Sequence, residues 1–156
     1  MAQDDKLKRK QQLLTECLRL QTQNVEQLRA AMLEAQQSAN DNDDDTEEKL
    51  FNSYREEMQN KRDLFARQLD QALDDMALLH KVTALAESKD TSFGAVVETS
   101  AGQKLFISIS LGQVKLNGDT FFALSPSAPL FKAMAGKKKG EPYEFRGQTA
   151  SITDVY

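Results

Sequence analysis

Two stretches of this chain carry the same apolar spacing and mirror one another across a run of carboxylates, and no other feature limits the fold as strongly. Apolar residues placed alternately three and four apart form the buried seam of paired helices. The first stretch reads Leu7, Gln11, Leu14, Leu18, Gln21, Val25, Leu28, Met32, Ala35 and Ala39, with only the two glutamines polar. The second reads Phe51, Arg55, Met58, Arg62, Phe65, Leu69, Ala72, Met76, Leu79, Thr83 and Ala86. A chain that folds back on itself brings these seams together. The natural pairs are Ala35 with Phe51, Leu28 with Met58, Leu14 with Ala72 and Leu7 with Leu79. The intervening layer sets Met32 against Arg55, Val25 against Arg62, Leu18 against Leu69 and Gln11 against Met76. One antiparallel register satisfies both layers, and its centre falls at Asp43. From there to the Leu7/Leu79 layer the rise of a helix gives an arm of about 54 Å.

The turning point holds Asp41, Asp43, Asp44, Asp45, Glu47 and Glu48. Local helix chemistry accounts for four of them. Asp44, Asp45, Glu47 and Glu48 open the second helix, where an aspartate cap, an Asp45-x-x-Glu48 capping box and the positive end of the helix dipole all favour carboxylates. Asp41 and Asp43 have no such reason, because they follow the C-terminal end of the first helix, where negative charge is disfavoured. Six acids within eight residues also repel one another.

Composition narrows the function classes. Charged residues make up 28% of the chain and no long apolar run interrupts it, so the sequence predicts a protein without a membrane span. The start, MAQDDKLKRKQQ, lacks the apolar core of a signal peptide, and a cytoplasmic location is expected. A formal charge of −4 argues against a general nucleic-acid binder. The one cysteine, Cys17, lies off the seam on a helix face and reads as a tolerated small residue. His80 has no cysteine or second histidine near it and reads as a helix-surface residue. There is no glycine-rich phosphate loop, no Ser/His/Asp set and no zinc spacing.

Helical spacing stops after Ala86, and ESKDTS (87–92) reads as a polar linker dividing an arm, 1–88, from a small domain, 89–156. GAVVETS (94–100) and KLFISIS (104–110) flank a short loop with Gly102 and read as a hairpin. Asn117-Gly118 signals a second turn before a strand from Thr120 to Leu124, whose Phe121-Phe122 pair splits one ring into the core and one out. Ser127 is the expected N-cap of a short helix over APLFKAMAG, with Gly136 its stop. Lys137 to Lys139 form a basic turn, and YEFRG and ASITDVY supply the last strands. A segment this short buries a small core, so the sequence predicts an α+β protein: a long antiparallel helical hairpin followed by a curved antiparallel sheet around one short helix.

The stretch SPSAPLFKAMAGKKKGEPYEF…ITDV (125–154) resembles the end of the bacterial Gre transcript-cleavage factors. In those proteins a strand leads into Ser-Pro, a short helix, Gly-Lys-Lys, a Gly-acidic turn and two final strands. The resemblance covers about thirty residues closely, and it extends to the whole chain in architecture. It implies an FKBP-like C-terminal domain that docks on the rim of the secondary channel of RNA polymerase, with Ser125, Pro126 and Leu130 as the docking residues. It also implies that the hairpin enters the channel as a monomer and acts on the nascent RNA indirectly, as an accessory factor rather than an enzyme. Asp41, Asp43, Asp44 and Asp45 would then serve catalysis inside the polymerase, with Asp43 and Asp44 sharing a Mg²⁺ with it. The fit is chemically sound, because Mg²⁺ takes oxygen ligands and keeps several waters, so one or two carboxylates suffice.

The tip departs from the family pattern. There the turn reads Gly-Asp-Leu, two residues, Asn-Ala and an aromatic, whereas this chain has SANDNDDDTEEKLFNSY (38–54). Three functions therefore stay open: stimulation of Mg²⁺-dependent transcript cleavage, inhibition by occupying the channel, and a coiled-coil interaction role unrelated to transcription.

Overall fold

The computed structural model describes residues 2–40, 48–84 and 86–156. Helices α1 (Ala2–Asn40) and α2 (Glu48–Leu79) precede strands β1 (Val96–Thr99), β2 (Lys104–Ile107), β3 (Gly112–Leu116) and β4 (Asp119–Leu124). Helix α3 (Pro129–Met134) and strands β5 (Pro142–Phe145) and β6 (Gln148–Val155) follow. The chain is α+β and divides into two compact units. One is Gln21–Met76; the other joins Met1–Leu20 to Ala77–Tyr156.

Within Gln21–Met76 the helices run antiparallel. Gln21 Nε2 donates to the Ala72 carbonyl at 2.8 Å, and Arg62 Nη1 donates to Gln36 Oε1 at 2.5 Å, so ascending positions on α1 meet descending ones on α2. The seam is where the sequence places it, with Gln21, Val25, Ala35, Ala39, Leu69 and Ala72 buried. Its register is not. Val25, expected opposite Arg62, packs with Leu69 and Ala72, a slip of one heptad. A whole-heptad slip returns every seam residue to the seam, so apolar burial barely separates the two alignments. The polar seam residues decide between them. In the expected register Gln21 faces Phe65, and an amide buried without a partner costs about 1–3 kcal/mol. The observed register gives that amide a carbonyl and gives the Arg62 guanidinium the Gln36 side chain.

In the other unit, the first half of α1 carries a second buried stripe beside the seam. Lys10, Leu13 and Cys17 are all buried, at the three- and four-residue spacing of one helix face. Leu13 and Cys17 join Leu79, Val82, Val96, Phe106, Phe121 and Tyr156 in one core. Cys17 is off the seam, as its position predicts, but it is a core residue rather than a tolerated surface one. Burial pushes its thiol up to about 12. Helix α2 stops at Leu79 instead of continuing to Ala86. Its end tightens through bonds from Lys81 N to Leu78 O and Val82 N to Leu79 O, which turn the chain so that Val82 and Ala84 become buried. His80 lies in that turn and is exposed. The polar stretch beyond is tied to α1. The Lys10 ammonium donates to the Ala86 carbonyl and the Ser88 hydroxyl, both at 3.2 Å, and Gln11 Nε2 reaches the Ala84 carbonyl at 3.4 Å. Desolvation lowers the Lys10 pKa, with Glu87 pulling the other way.

The six strands form one sheet in the order β3-β4-β2-β1-β6-β5. Alternation along the strands gives it two apolar faces. Val96, Phe106 and Phe121 belong to the core shared with α1, while Val97, Leu105, Ile107 and Ile152 form the other with Met134 of α3 and Tyr143. The β1/β2 hairpin is antiparallel as expected. Asn117-Gly118 closes β3 on β4 with φ of 51° and 84°, and Arg146-Gly147 closes β5 on β6 with φ of 52° and 77°. These are the left-handed pairs that two-residue hairpin turns require.

One expectation about the sheet fails. It is not wholly antiparallel, because β2 and β4 pair in parallel. Composition explains the exchange of places. β4 buries Phe121 and Ala123 and suits a central position, whereas β3 buries only Val114 and exposes Gln113 and Lys115, the character of an edge strand. Nor does Ser127 cap α3. The N-cap is Ala128, because the Ser127 hydroxyl is engaged with Ser125 Oγ at 2.6 Å and Pro129 sets the first helical φ. Gly136, with φ of 75°, follows the C-cap Ala135 and ends the helix where the sequence places its stop.

Candidate functional site

Asp41, Asp43, Asp44 and Asp45 lie outside the described residues, and with them any Mg²⁺ site at the tip. What the structure fixes are the helix ends that flank them, Asn40 and Glu48. Among the described residues, no three His, Cys, Asp or Glu side chains come together as a metal site. No helix among them is long and apolar enough to cross a membrane.

Ser125, Pro126 and Leu130 fall on the connection from β4 into α3. Ser125 organises it. Its Oγ accepts from the Ser127 amide at 3.2 Å, and its carbonyl accepts from the Ala128 amide at 3.0 Å, a turn that aims the chain into Pro129. Pro126 is exposed. Leu130 is half-buried, resting on the core that α3 shares with β1, β2 and β6.

Leu130 also lines a groove of about 630 Å³ together with Leu105, Phe122, Leu124, Pro129 and Phe145. Four pieces of chain build it. β2 and β4 supply the floor, Ala128 with the start of α3 supplies one part of the wall, the β5/β6 hairpin supplies another, and Ser110 and Gly112 at the start of β3 supply the last. The Phe121-Phe122 pair does split: Phe121 is fully buried and Phe122 is 38% exposed, its ring on the groove. Arg146, the only charged residue lining the groove among the described residues, stacks on Phe145 with its guanidinium carbon 5.0 Å from the ring centre. Its backbone adopts a φ of 52° in the hairpin turn. Residue type gives no reason to single out Arg146. The one signal for it is the Arg-Gly pair between two strand-like runs, which marks a tight hairpin and hence an exposed turn residue.

Lys137 to Lys139 form a turn fastened to the segment after α2, since the Lys137 carbonyl accepts from both the amide and the hydroxyl of Thr91, at 2.8 and 2.9 Å. Opposite the groove face, Lys6 pairs with Asp154 at 2.9 Å, which raises the Lys6 pKa, while Lys104 reaches Asp119 at 3.1 Å and Glu98 at 4.0 Å. What the groove offers chemically is an apolar bed with one cation, suited to binding a side chain or segment. No protein-family model matches this sequence, and no curated protein matches it either.

Proposed function

We propose that this chain is a bacterial RNA polymerase-binding elongation regulator of the Gre type, with an FKBP-like C-terminal domain and a coiled-coil arm. The domain docks on the polymerase through the Ser125–Leu130 turn, and the arm presents the acidic segment between α1 and α2 to the active site through the secondary channel. The observation that carries this reading is the pair of long antiparallel helices. Gln21 with Ala72 and Gln36 with Arg62 bring Asn40 and Glu48 toward the same end, and the carboxylates of 41–48 fall between those two residues in the sequence. The Ser-Pro turn beside an apolar groove adds a second support, because a docking module needs such a surface. In this reading Asp43 and Asp44 add oxygen ligands to a Mg²⁺ that the polymerase's own carboxylates also hold. A Mg²⁺ held there would supply charge stabilisation at the reacting phosphate. The protein works in the cytoplasm as a monomer and is an accessory factor rather than an enzyme.

The test is a stalled, backtracked polymerase complex supplied with Mg²⁺ and either the wild-type protein or the Asp41→Ala, Asp43→Ala and Asp44→Ala variants. At least one variant is expected to lose the effect on transcript length while still binding the polymerase. Stimulated cleavage and inhibition are read from the same gel. A wild-type chain that captures no polymerase rejects the reading. Unchanged activity in all three variants, alone and combined, rejects a role for the tip.

A further inference from the structure

The groove and Arg146 specify more than a docking place. We propose that they form a composite recognition site for a protein segment that carries apolar anchor side chains next to a carboxylate. This deepens the docking reading above by naming the chemistry of the partner segment, and it assigns Arg146 a specificity role.

Three observations carry it. The first is a mainly apolar lining, with Gln103 and Ser110 its uncharged polar side chains. Leu105, Phe122, Leu124, Pro129, Leu130 and Phe145 dominate a groove of about 630 Å³ and leave few groups to orient a polar small molecule, whereas the apolar face of a helix or loop needs only such a bed. The second is Phe122, 38% exposed on a strand whose inward residues are fully covered. An exposed aromatic facing a concavity is the residue type that anchors interfaces.

The third is the state of the cation. No carboxylate among the described residues lies within salt-bridge distance of Arg146, a state it shares with surface cations such as Lys132 and Lys138, but Arg146 alone among them lines the groove. Its guanidinium is held on the Phe145 ring instead. Stacking of this kind fixes the plane of the group and leaves its edge N–H donors free for a planar carboxylate. Although the chain as a whole carries −4, the one charge on this groove is positive, and at contact distance an unpaired arginine there fits a carboxylate and disfavours a cation.

The experiment uses the full-length chain, ¹⁵N-labelled, and short peptides with two leucines followed by Glu, Gln or Lys. Amide shifts are expected at Leu105, Phe122, Leu130 and Phe145, with the Glu peptide binding about tenfold tighter than the Lys peptide. Arg146→Glu is expected to reverse that order, and Phe122→Ser to weaken all three peptides alike. Equal binding of the Glu and Lys peptides, shifts confined to other residues, or no shifts at all overturns the inference. A second arm measures capture of RNA polymerase by wild type and Arg146→Glu. Retention of the peptide order with no capture by wild type rejects the polymerase reading and leaves the groove chemistry standing. Equal capture by both proteins overturns the role of Arg146 in docking while leaving that reading intact.

Discussion

The same two helices take part in both compact units, yet the units are held together by different physics. In Gln21–Met76 the apolar cluster has three buried members, Val25, Leu69 and Ala72, with Leu28, Met32 and Met76 partly covered against it. In the other unit, α1 and the end of α2 share a core with a sheet that buries Phe106, Phe121, Leu13, Leu79 and Tyr156 completely. A broad core fixes alignment by shape, because few arrangements fill it. A thin seam is nearly indifferent to a heptad slip, so two polar contacts choose its register. The sheet unit therefore depends on volume, and the helix pair depends on a glutamine and an arginine.

The largest expected effect tests the first half of that contrast. Phe106→Ala empties a fully covered site in the sheet unit and is expected to cost about 3–5 kcal/mol in denaturant unfolding. Leu69→Ala is expected to cost less, about 2–3 kcal/mol, because its surroundings in a two-helix layer can collapse further. Hydrogen exchange adds the discriminating readout. Leu69→Ala is expected to speed exchange within 21–76 and leave the amides of β1, β2 and β6 protected. Equal acceleration in both regions would show that the units unfold as one and that the comparison is wrong.

The second half is tested by Gln21→Leu. Removing the buried amide while adding apolar surface is expected to change stability by no more than about 1 kcal/mol, yet to loosen the register. In a Cys17→Ala background, the pair Val25→Cys with Leu69→Cys should cross-link in the native alignment. The pair Val25→Cys with Arg62→Cys should cross-link only after Gln21→Leu. Failure of the second pair under any condition means that the glutamine does not set the alignment.

The same division explains what could be read from the sequence. The seam positions were legible, since Val25, Leu69 and Ala72 follow a strict heptad and each is buried. The register was not, because periodicity repeats every seven residues and carries no information about which repeat faces which. Asn117-Gly118 announced its hairpin turn, whereas Arg146-Gly147, expected within the strand YEFRG, proves to be the left-handed turn between β5 and β6. The parallel β2/β4 pair did not announce itself, because local spacing gives strands but not their neighbours. The second stripe on α1, with Leu13 and Cys17, was not legible, because a helix that packs on two partners carries two overlapping apolar periods and the seam accounts for only one. At the groove, the Ser-Pro turn and the splitting of the Phe121-Phe122 pair were legible, though not which ring faces out. Arg146 was not, since its place depends on the β5/β6 hairpin meeting α3 across the sheet.

Lys10 sharpens the contrast from the sheet side. Its ammonium is buried with two neutral acceptors at 3.2 Å and no carboxylate within salt-bridge distance. Replacing such a cation with an apolar side chain of similar length leaves the exposed Ala86 carbonyl to water but takes a positive charge away from the partly buried Glu87, so Lys10→Met is expected to change stability by no more than about 1 kcal/mol. The pH dependence follows from the direction of the shift. Because the folded chain holds the Lys10 proton less tightly than the unfolded chain, the unfolded state binds more protons between the lowered value and 10.5. Wild-type stability therefore gains a contribution as pH rises through that window. Thermal unfolding measured from neutral to alkaline pH should show this gain in the wild type and lose it in Lys10→Met. A parallel pair of curves would mean that Lys10 is not desolvated in solution.

The smallest effect belongs to Cys17, whose thiol is fully buried and pushed up to about 12. A thiol that holds its proton and lies behind Leu13 and the sheet has neither the charge nor the access that alkylation needs. Native protein at mildly alkaline pH is expected to react with a thiol reagent only as fast as the sheet unit opens. Leu69→Ala, which loosens the helix pair alone, should leave that rate unchanged, and Phe106→Ala should raise it steeply. If Leu69→Ala accelerates labelling as strongly as Phe106→Ala does, then α1 transmits disorder from one unit to the other and the two cannot be treated as separately stabilised.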